Sequence, residues 1–492
     1  MIDVNLNDTI AAIATASGES GIGIVRISGG RALSIVDKIF VSPDGQKPSG
    51  FKTYTIHYGW IVEKQKSPPH QNCKAILVGE VSRKANLPSA EKIGNKQNII
   101  DEVILTVMRA PRSYTREDIV EINCHGGILA LRKTLELVLN SGARLSSPGE
   151  FTQRAFLNGR IDLAQAEAVL DIIRAKTDAA LSMSQRQLKG ELSKRLNQLR
   201  AKIVGLLAAM EVNIDFPDED LRAMDSEGIS IGLDQIVREL ELILENAEQG
   251  RVLREGVKAV ICGKPNVGKS SLLNALLKCE RSIVTSIAGT TRDTIEEIID
   301  IKGIPVMIVD TAGIIEPRDL IERKAVSRSR QHMEEADLVL LLFDGSKNLS
   351  SEDNVLIRKV KSRPAIAVIN KIDLRQKLKR QKLSRLFRQV VEISAKKQKN
   401  IDLLEEAVAG CVFNGKIKSG GQLWVSNLRH IAKLKKVQHA VKRAGKSAAK
   451  NSSLETIAQD LKDAAASLDE IQGKRFSEEI LDTIFSGFCI GK

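Results

Sequence analysis

The chain has 492 residues, 42% of them hydrophobic, which is enough for several buried cores and, by length, about three domains. Its longest apolar runs, such as residues 338–343, fall well short of the ~18 to 20 residues that cross a bilayer, and the start MIDVNLNDTI lacks basic residues, so we expect neither a membrane span nor a secretory signal. Six scattered Cys without a CxxC pair argue against zinc and disulfide frameworks and favour reduced thiols in the cytoplasm, whereas the net charge of +13 fits either simple solubility or a polyanionic partner.

The first 125 residues alternate apolar and polar positions in short runs. Examples are GIGIVRIS at 21–28 and EVILTVMRA at 102–110, and Gly and Pro turns separate such runs. This pattern predicts strands, and helical spacing over 127–141 predicts a helix beside them. We therefore expect an N-terminal α+β domain.

The pattern changes at Leu163. Apolar residues then recur every three or four positions as far as Met210, which predicts amphipathic helix over many turns. The segment NIDFPDED at 213–220 interrupts this pattern, and helical spacing resumes to about Gln249. A further helical stretch follows Gly421 and continues to about Ile484.

Between these helical stretches, residues 257–413 alternate strand-like apolar runs with helical segments. That order predicts βαβ units and a mostly parallel sheet. We infer an α/β domain inserted into a helical domain.

A phosphate loop occupies the start of this α/β region. The sequence GKPNVGKS at 263–270 follows the strand-like VKAVIC and precedes the helical SSLLNALLK, which is the context that a GxxxxGKS loop requires. Glycines let backbone N–H groups turn toward phosphate oxygens, and the helix N-terminus adds partial positive charge. We expect Lys269 to contact the β and γ phosphates and Ser270 to bind magnesium.

Three further motifs follow later strands in the order that a GTPase requires. DTAG at 310–313 suits the magnesium shell and the γ-phosphate, and NKID at 370–373 places a carboxylate, Asp373, where it can accept hydrogen bonds from guanine N1–H and the N2 amino group. SAK at 394–396 can face the guanine O6. Adenine lacks the matching donors, so an ATPase is disfavoured.

One position departs from the Ras-like pattern. Ras-type enzymes have Gln directly after DxxG to orient the attacking water, and this chain has Ile314 there. Catalysis therefore needs other groups, or hydrolysis is very slow.

Residues outside the nucleotide motifs resemble the MnmE (TrmE) family of tRNA modification GTPases along nearly the whole chain. Four segments carry the resemblance: DTIAAIAT and GIGIVRISG within 8–29, SYTREDIVEINCHGG at 113–127, PGEFTQRAFLNGRIDLAQAEAVLDII at 148–173, and FCIGK at 488–492. The third segment is long and very specific.

The resemblance implies four parts. These are an N-terminal folate-binding and dimerisation domain (1–160), a first helical part (161–254), a Ras-like P-loop G domain (255–413) inserted into the helical domain, and a second helical part ending in Cys-Ile-Gly-Lys (414–492). It implies a homodimer that forms a heterotetramer with the flavoprotein MnmG (GidA). Together they add a carboxymethylaminomethyl or aminomethyl group to C5 of the wobble uridine of certain tRNAs, with 5-formyl- or methylene-tetrahydrofolate as the one-carbon donor.

For the G domain, the resemblance implies activation by potassium and by dimerisation across the nucleotide faces. A bound K⁺ supplies the positive charge that an arginine finger would bring. Its ligands would be Asn266, Thr285, Ile287 and Thr290, and Mg²⁺ would be held by Ser270 and Thr291. The GTP-binding residues as a group are Asn266, Val267, Gly268, Lys269, Ser270, Ser271, Thr285, Ser286, Ile287, Ala288, Gly289, Thr290, Thr291, Asp310, Thr311, Ala312, Gly313, Asn370, Lys371, Asp373, Ser394, Ala395 and Lys396.

The resemblance also names residues with chemical roles elsewhere. Glu322 matches an acidic residue that helps to position water, although from the sequence alone it reads as a solvated helix charge. Arg26, Glu121, Arg160 and Lys492 fall at folate-contacting positions, where each could instead form a surface salt bridge. The family often has Lys at position 160, and Arg keeps the charge but not the geometry.

The thiol of Cys489 has three interpretations. It could be a buried structural thiol, part of a poorly fitting prenylation box, or a functional thiol beside the folate, which the resemblance favours.

Two basic runs, 375–388 with seven Lys or Arg and 428–450 with eight, contain no acidic residue. They are either solvated helix faces or, for the second run, a surface for tRNA phosphates. In the second case, replacing Lys435 and Lys436 should reduce the salt dependence of tRNA binding.

Two other functions stay open at this point. One is a ribosome-assembly or regulatory GTPase without modification chemistry, and the other is a stand-alone folate enzyme with a regulatory G domain.

Overall fold

The computed structural model describes residues 7–16, 18–64, 97–215, 226–279, 297–309, 336–361, 363–413, 425–450 and 452–492. The chain divides into two compact units. The N-terminal unit consists of two segments, Met1–Glu167 and Arg475–Lys492, and the second unit is the continuous stretch Ala168–Lys474. The second unit is therefore an insertion within the first, in sequence terms.

A seven-stranded sheet forms the centre of the N-terminal unit, in the spatial order β3-β4-β5-β6-β2-β1-β7. Neighbouring strands are antiparallel except for the parallel pair β1 and β7. The strands are β1 (Ile10–Ile13), β2 (Ser20–Ser28), β3 (Phe40–Val41), β4 (Thr55–Lys64), β5 (Gln97–Met108), β6 (Ile119–Gly126) and β7 (Arg144–Leu145).

The alternation in the sequence decides which side of this sheet is buried. Val25 and Ile27 of β2, with Val120 and Ile122 of β6, belong to the core, which α1 (Ala32–Val36) and α2 (Ile128–Asn140) cover. Side chains at the intervening positions point to the opposite face because the side-chain period of a strand is two. The predicted N-terminal α+β domain is confirmed.

The end of the chain completes the N-terminal unit. Helix α3 (Glu150–Leu157) packs near α15 (Glu478–Phe485), and the residues after α15 return to the start of α3. The Gly149 N–H donates to the Cys489 carbonyl at 3.3 Å, and the Phe151 N–H donates to the Lys492 carbonyl at 3.2 Å. Gly149 has φ 69°, and a Cβ there would lie 2.8 Å from the Phe485 carbonyl, so glycine is required.

The second unit contains a six-stranded sheet in the order β13-β12-β11-β8-β10-β9. All neighbours are parallel except β9, which pairs antiparallel with β10. Every residue of β11 is buried, as expected for a strand covered on both faces. The strands are β8 (Val257–Gly263), β9 (Glu297–Ile301), β10 (Ile304–Val309), β11 (Leu338–Asp344), β12 (Ala365–Asn370) and β13 (Gln389–Glu392).

Helices cover both faces of the second sheet. On one face, α9 (Lys269–Cys279) and α12 (Ile401–Val412) contribute to the core. On the other, α10 (Ser351–Val360) and α11 (Arg380–Ser384) contribute to a second cluster. This layered, mostly parallel arrangement is the predicted Ras-like P-loop fold.

The remaining helices of the chain come before and after this sheet. Asp469 pairs with Arg200, the Gln472 side chain donates to the Ser193 carbonyl at 2.9 Å, and Lys442 pairs with Glu241 at 2.8 Å. These contacts join helices from both sides of the sheet in sequence, so the predicted insertion into a helical domain is confirmed. The helices are α4 (Leu163–Arg174), α5 (Asp178–Leu188), α6 (Glu191–Asp215), α7 (Ser226–Glu245), α8 (Ala247–Glu255), α13 (Leu428–Ala449) and α14 (Leu454–Gln472).

The turn between β9 and β10 touches the helical part of the same unit. Thr177 caps α5 and donates its hydroxyl to the Gly303 carbonyl at 2.9 Å.

Within the described ranges, no helix is long and apolar enough to cross a membrane.

Candidate functional site

The loop between β8 and α9 has the conformation expected of a phosphate loop. Gly263 and Gly268 have φ 153° and 102°, and Asn266 adopts φ 62°. A Cβ on Gly263 would lie 2.7 Å from the Leu342 carbonyl, so this position accepts only glycine. The first N–H groups of α9 have no partner within the helix, and this end of a helix favours an anion.

Lys269 is the cation of this loop. Its ammonium donates to the Gly263 carbonyl at 2.9 Å and the Lys264 carbonyl at 3.1 Å, and no carboxylate of a described residue pairs with it. Burial lowers the pKa of Lys269 because the charged form loses water. A bound phosphate would supply the missing negative charge. Lys264 differs, since it pairs with Asp353 at 2.7 Å.

Asn370 connects the predicted guanine motif to the phosphate loop. Its side-chain amide donates to the Val267 carbonyl at 2.8 Å, and its oxygen accepts from the Lys371 N–H at 2.8 Å and the Ala395 N–H at 3.0 Å. A Cβ on Gly268 would lie 2.3 Å from the Asn370 nitrogen. The structure thus brings three of the predicted motifs together around one buried amide.

Lys371 is held by a residue that the sequence reasoning missed. Its ammonium donates to the Asn266 carbonyl at 2.7 Å and pairs with Asp344 at 2.8 Å. Burial opposes ionisation of Asp344, but hydrogen bonds from Lys371 and Ser346 outweigh it and lower the pKa of that carboxyl. The available signal was an acidic residue ending the otherwise apolar run LVLLLFD.

Asp373 and Ser394, two residues predicted to face the guanine, contact each other. The Ser394 hydroxyl donates to the Asp373 carboxylate at 2.6 Å, and this hydrogen bond lowers the pKa of Asp373. Asp373 is exposed and ionised at neutral pH, so its free oxygen can accept from a guanine edge. An open cavity of about 630 Å³ lies beside this pair, between Ser271 and Asn274 on one side and Ala395 to Gln398 on the other.

Two of the residues assigned to metal ions, Asn266 and Ser270, are among the described residues. The side chains of Ser270 and Asn266 are exposed at the phosphate loop, so a hydroxyl and an amide oxygen are available as hard-cation ligands. The remaining assigned residues lie outside the described residues: Thr285, Ser286, Ile287, Ala288, Gly289, Thr290, Thr291, Asp310, Thr311, Ala312, Gly313 and Glu322.

A second group of predicted residues meets in the N-terminal unit. Arg26 and Glu121 are register partners on β2 and β6, and their side chains pair at 2.7 Å on the face opposite the core. The Arg26 guanidinium also donates to the Gly491 carbonyl at 3.2 Å. The chain end that carries Lys492 therefore lies at the predicted folate residues.

Arg160 also lies near these residues, where it contacts an aromatic ring. Its guanidinium stacks over Tyr114 at 4.7 Å, and Arg26 lies 5.7 Å from the centre of the Phe151 ring. The Tyr114 hydroxyl is 2.9 Å from that of Thr152, and burial raises the pKa of Tyr114. Sequence reasoning missed both rings, although each lies within a segment that carried the resemblance.

A buried ion network connects α3 to neighbouring segments of the N-terminal unit. Arg154 is fully buried and pairs with Glu150 at 3.0 Å and with Glu117 at 3.1 Å. Arg144 also pairs with Glu150. Buried charges are tolerated when each finds a partner, and removing one partner is costly. The network anchors α3, which carries Phe151, to Arg144 of β7 and to Glu117.

Cys489 is exposed and unpaired as a disulfide. The interpretation as a buried structural thiol is therefore wrong: the backbone of the chain end is held by Gly149 and Phe151, and the side chain points outward.

Comparisons with known proteins give matches along nearly the entire chain. The family model described as the MnmE helical domain matches residues 163–489, and the one described as the GTP-binding protein TrmE N-terminus matches residues 9–160. Three curated relatives bear the name tRNA modification GTPase MnmE. That of Bacillus licheniformis is 44% identical over 488 residues, that of Desulforamulus reducens is 44% identical over 490, and that of Bacillus subtilis is 43% identical over 488. Each match covers 99% of this chain and 100% of the relative.

Proposed function

The chain belongs to the MnmE family of tRNA modification GTPases, and from that membership we propose that it is a potassium-activated enzyme acting on the wobble uridine of certain tRNAs. In this proposal it works with a flavoprotein partner of the MnmG (GidA) type. Together they install a carboxymethylaminomethyl or aminomethyl group at C5, using a tetrahydrofolate derivative.

The observation that carries the proposal is the assembled guanine nucleotide site. Lys269 has no carboxylate partner among the described residues, and Asp373 is held ionised by Ser394 at 2.6 Å. The cation and the acceptor therefore suit the two ends of GTP, the phosphates and the base. With Mg²⁺ bound, the metal would neutralise phosphate charge, and Ser270 would hold it.

Potassium is proposed because this chain lacks the usual water-orienting Gln, having Ile314 instead. Asn266 offers an exposed amide oxygen beside the phosphate loop, in a backbone conformation of φ 62° that Asn tolerates better than most residues. A monovalent cation held there would stabilise negative charge that develops on the phosphates.

The potassium assignment predicts a specific cation effect. GTP hydrolysis at constant ionic strength should be at least about tenfold faster in KCl than in NaCl, because one preorganised positive group is worth that much or more. Asn266→Gly removes the amide but tolerates the φ of 62°, so it should remove most of the difference while leaving GTP binding nearly intact. Asn354→Ala, an exposed Asn elsewhere in the G domain, is the matched control. Equal rates in the two salts would contradict the assignment.

The folate site is proposed on the chemistry of the residues grouped around Arg26 in the N-terminal unit. A carboxylate such as Glu121 suits the amino and N–H donors of a pterin, and the cations Arg160 and Lys492 suit the carboxylates of a glutamate tail. The half-buried ring of Tyr114 offers apolar surface to a flat ligand, whereas the ring of Phe151 is fully buried. Cys489 is proposed as a functional thiol because it is exposed in the chain end whose Gly491 carbonyl accepts from Arg26.

A homodimer is proposed on an apolar surface of the N-terminal sheet. Ile56 and Tyr58 of β4 are 70% and 42% exposed, and Ile104 of β5, the register partner of Tyr58, is 46% exposed. Tyr54 next to them is 63% exposed. Neighbouring apolar side chains of this kind on adjacent strands mark interaction surfaces.

The rival function is that of a ribosome-assembly or regulatory GTPase without modification chemistry. Nucleoside analysis of total tRNA separates the two. Cells lacking the gene should lose the C5-substituted wobble uridines, and the intact gene, but not an Asp373→Asn version, should restore them. Unchanged wobble nucleosides in the deletion strain would support the rival.

A further inference from the structure

The G domain contains a large basic cavity away from the nucleotide motifs. Its volume is about 1040 Å³, slightly above the roughly 300 to 1,000 Å³ of small-molecule sites. Five cations line it, and none of the described residues around it is acidic. They are Arg358, Lys361, Arg363, Arg385 and Arg388, and we call this set the basic pocket.

The basic pocket lies at the opposite end of the sheet from GTP. Its lining includes Ala365 and Gln389, the first residues of β12 and β13, whereas the guanine motifs follow the last residues of those strands. Six residues of β12 correspond to roughly 20 Å at ~3.3 Å per residue. A ligand in the pocket therefore does not compete with GTP.

The basic pocket carries more positive charge than the helix ends beside it can neutralise. Two helices, α10 and α12, end at this cavity, and each helix C-terminus carries about half a negative charge. These helix ends account for about one unit of positive charge in the lining. Even the three cations that form no ion pair with a described residue carry more charge than this single unit. Lys361, Arg385 and Arg388 are exposed and form no ion pair with any described residue.

The chemistry of the lining indicates which ligand fits. Arg guanidinium groups recognise phosphate oxygens with paired hydrogen bonds. Phe387, the aromatic ring in the lining, is buried, so bases cannot stack on it. Between Asn354 and Gln389 the only acidic residue of the sequence is Asp373, which follows the far end of β12.

We propose that the basic pocket binds the phosphate backbone of RNA and gives the G domain its own contact with tRNA, separate from the basic face of α13. The proposal rests on the tRNA partner proposed above and extends it to a second surface. Contacts of this type hold and orient RNA without reading its sequence.

The experiment is a salt titration of tRNA binding by the full chain, measured by fluorescence anisotropy of a labelled tRNA transcript. Arg385→Gln with Arg388→Gln should lower the slope of log affinity against log salt by about 1.4 to 1.8, since each lost phosphate contact removes about 0.7 to 0.9. Lys377→Gln with Lys379→Gln, the same charge loss in the same basic run but outside the pocket, is the control and should change the slope little. Basal GTP hydrolysis should be unchanged in both variants, which shows that they fold.

Lys435→Gln with Lys436→Gln tests the α13 surface in the same titration. Both lysines are exposed, and their slope change should add to that of the pocket variant if the two surfaces are separate. Equal slope changes in the pocket and control variants would overturn the proposal, since the total positive charge of the protein would then explain tRNA binding. The proposal would also be overturned if the pocket variant lost tripolyphosphate binding but kept the wild-type salt slope for tRNA. A wild-type chain that does not bind tRNA contradicts the proposed function itself.

Discussion

Replacing Asp373 with Asn should change the base that the G domain prefers from guanine to xanthine. In the predicted role, the ionised carboxylate would accept two hydrogen bonds from guanine, at N1–H and N2. The amide loses one acceptor and faces the guanine amino group with a donor, whereas xanthine has a carbonyl oxygen at that position. Sites built on such hydrogen bonds discriminate strongly because the wrong partner leaves polar groups unpaired.

We expect GTP affinity to fall at least about 100-fold and XTP affinity to exceed it in the variant. Competition of unlabelled nucleotides with a fluorescent GTP analogue measures both. Ser394→Ala is the companion variant, because it removes only the 2.6 Å hydrogen bond that holds Asp373. It should weaken GTP binding by less than about tenfold, with guanine still preferred. A variant Asp373→Asn that kept full GTP affinity would contradict the assignment of this residue to the base.

Replacing Lys269 with Gln should lower the rate of GTP hydrolysis by about 10²- to 10³-fold. The substitution removes the one cation of the phosphate loop that has no carboxylate partner among the described residues, and with it a full charge next to the transferring phosphate. Lys264→Gln is the matched control in the same loop. That side chain pairs with Asp353 at 2.7 Å and with the Ser350 hydroxyl at 2.8 Å, so its loss should change the rate only a few-fold.

Lys269 also predicts how GTP affinity depends on pH. Burial lowers the pKa of the free ammonium below the usual value of 10.5, and a bound polyphosphate should raise it again. Binding then takes up a proton at any pH between the two values, so affinity falls as the pH rises through the lowered pKa. Isothermal titration in buffers of different ionisation enthalpy measures the uptake. Lys269→Gln should abolish it, and uptake that persisted in this variant would assign the effect to another group.

The nucleotide site was predictable because each of its motifs is contiguous in sequence. The loop GKPNVGKS and the motifs NKID and SAK each follow a strand, and parallel strands place their carboxyl ends at one edge. The predicted position of Lys269 at the start of α9 and of Asn370 at the end of β12 are both confirmed. Asp344 was missed because one acidic residue after an apolar run is too weak a signal by itself.

The contacts among the predicted folate residues were harder to predict from the sequence. Arg26 and Glu121 are 95 residues apart, and Arg26 and Gly491 are 465 apart, so periodicity could not bring them together. Only the resemblance named them. The pairing follows from the register of β2 and β6 and from the return of the chain end to α3, which depend on tertiary packing.

The two-segment construction of the N-terminal unit has a consequence for biosynthesis. Residues 168–474 separate its two segments, so the ribosome needs roughly 15 to 60 s between them at about 5 to 20 residues per second. During this interval the nascent β-sheet has emerged without the C-terminal residues that contact Gly149 and Arg26. The continuous second unit can finish folding on the ribosome first, and the hydrogen bond from Arg26 to the Gly491 carbonyl forms last.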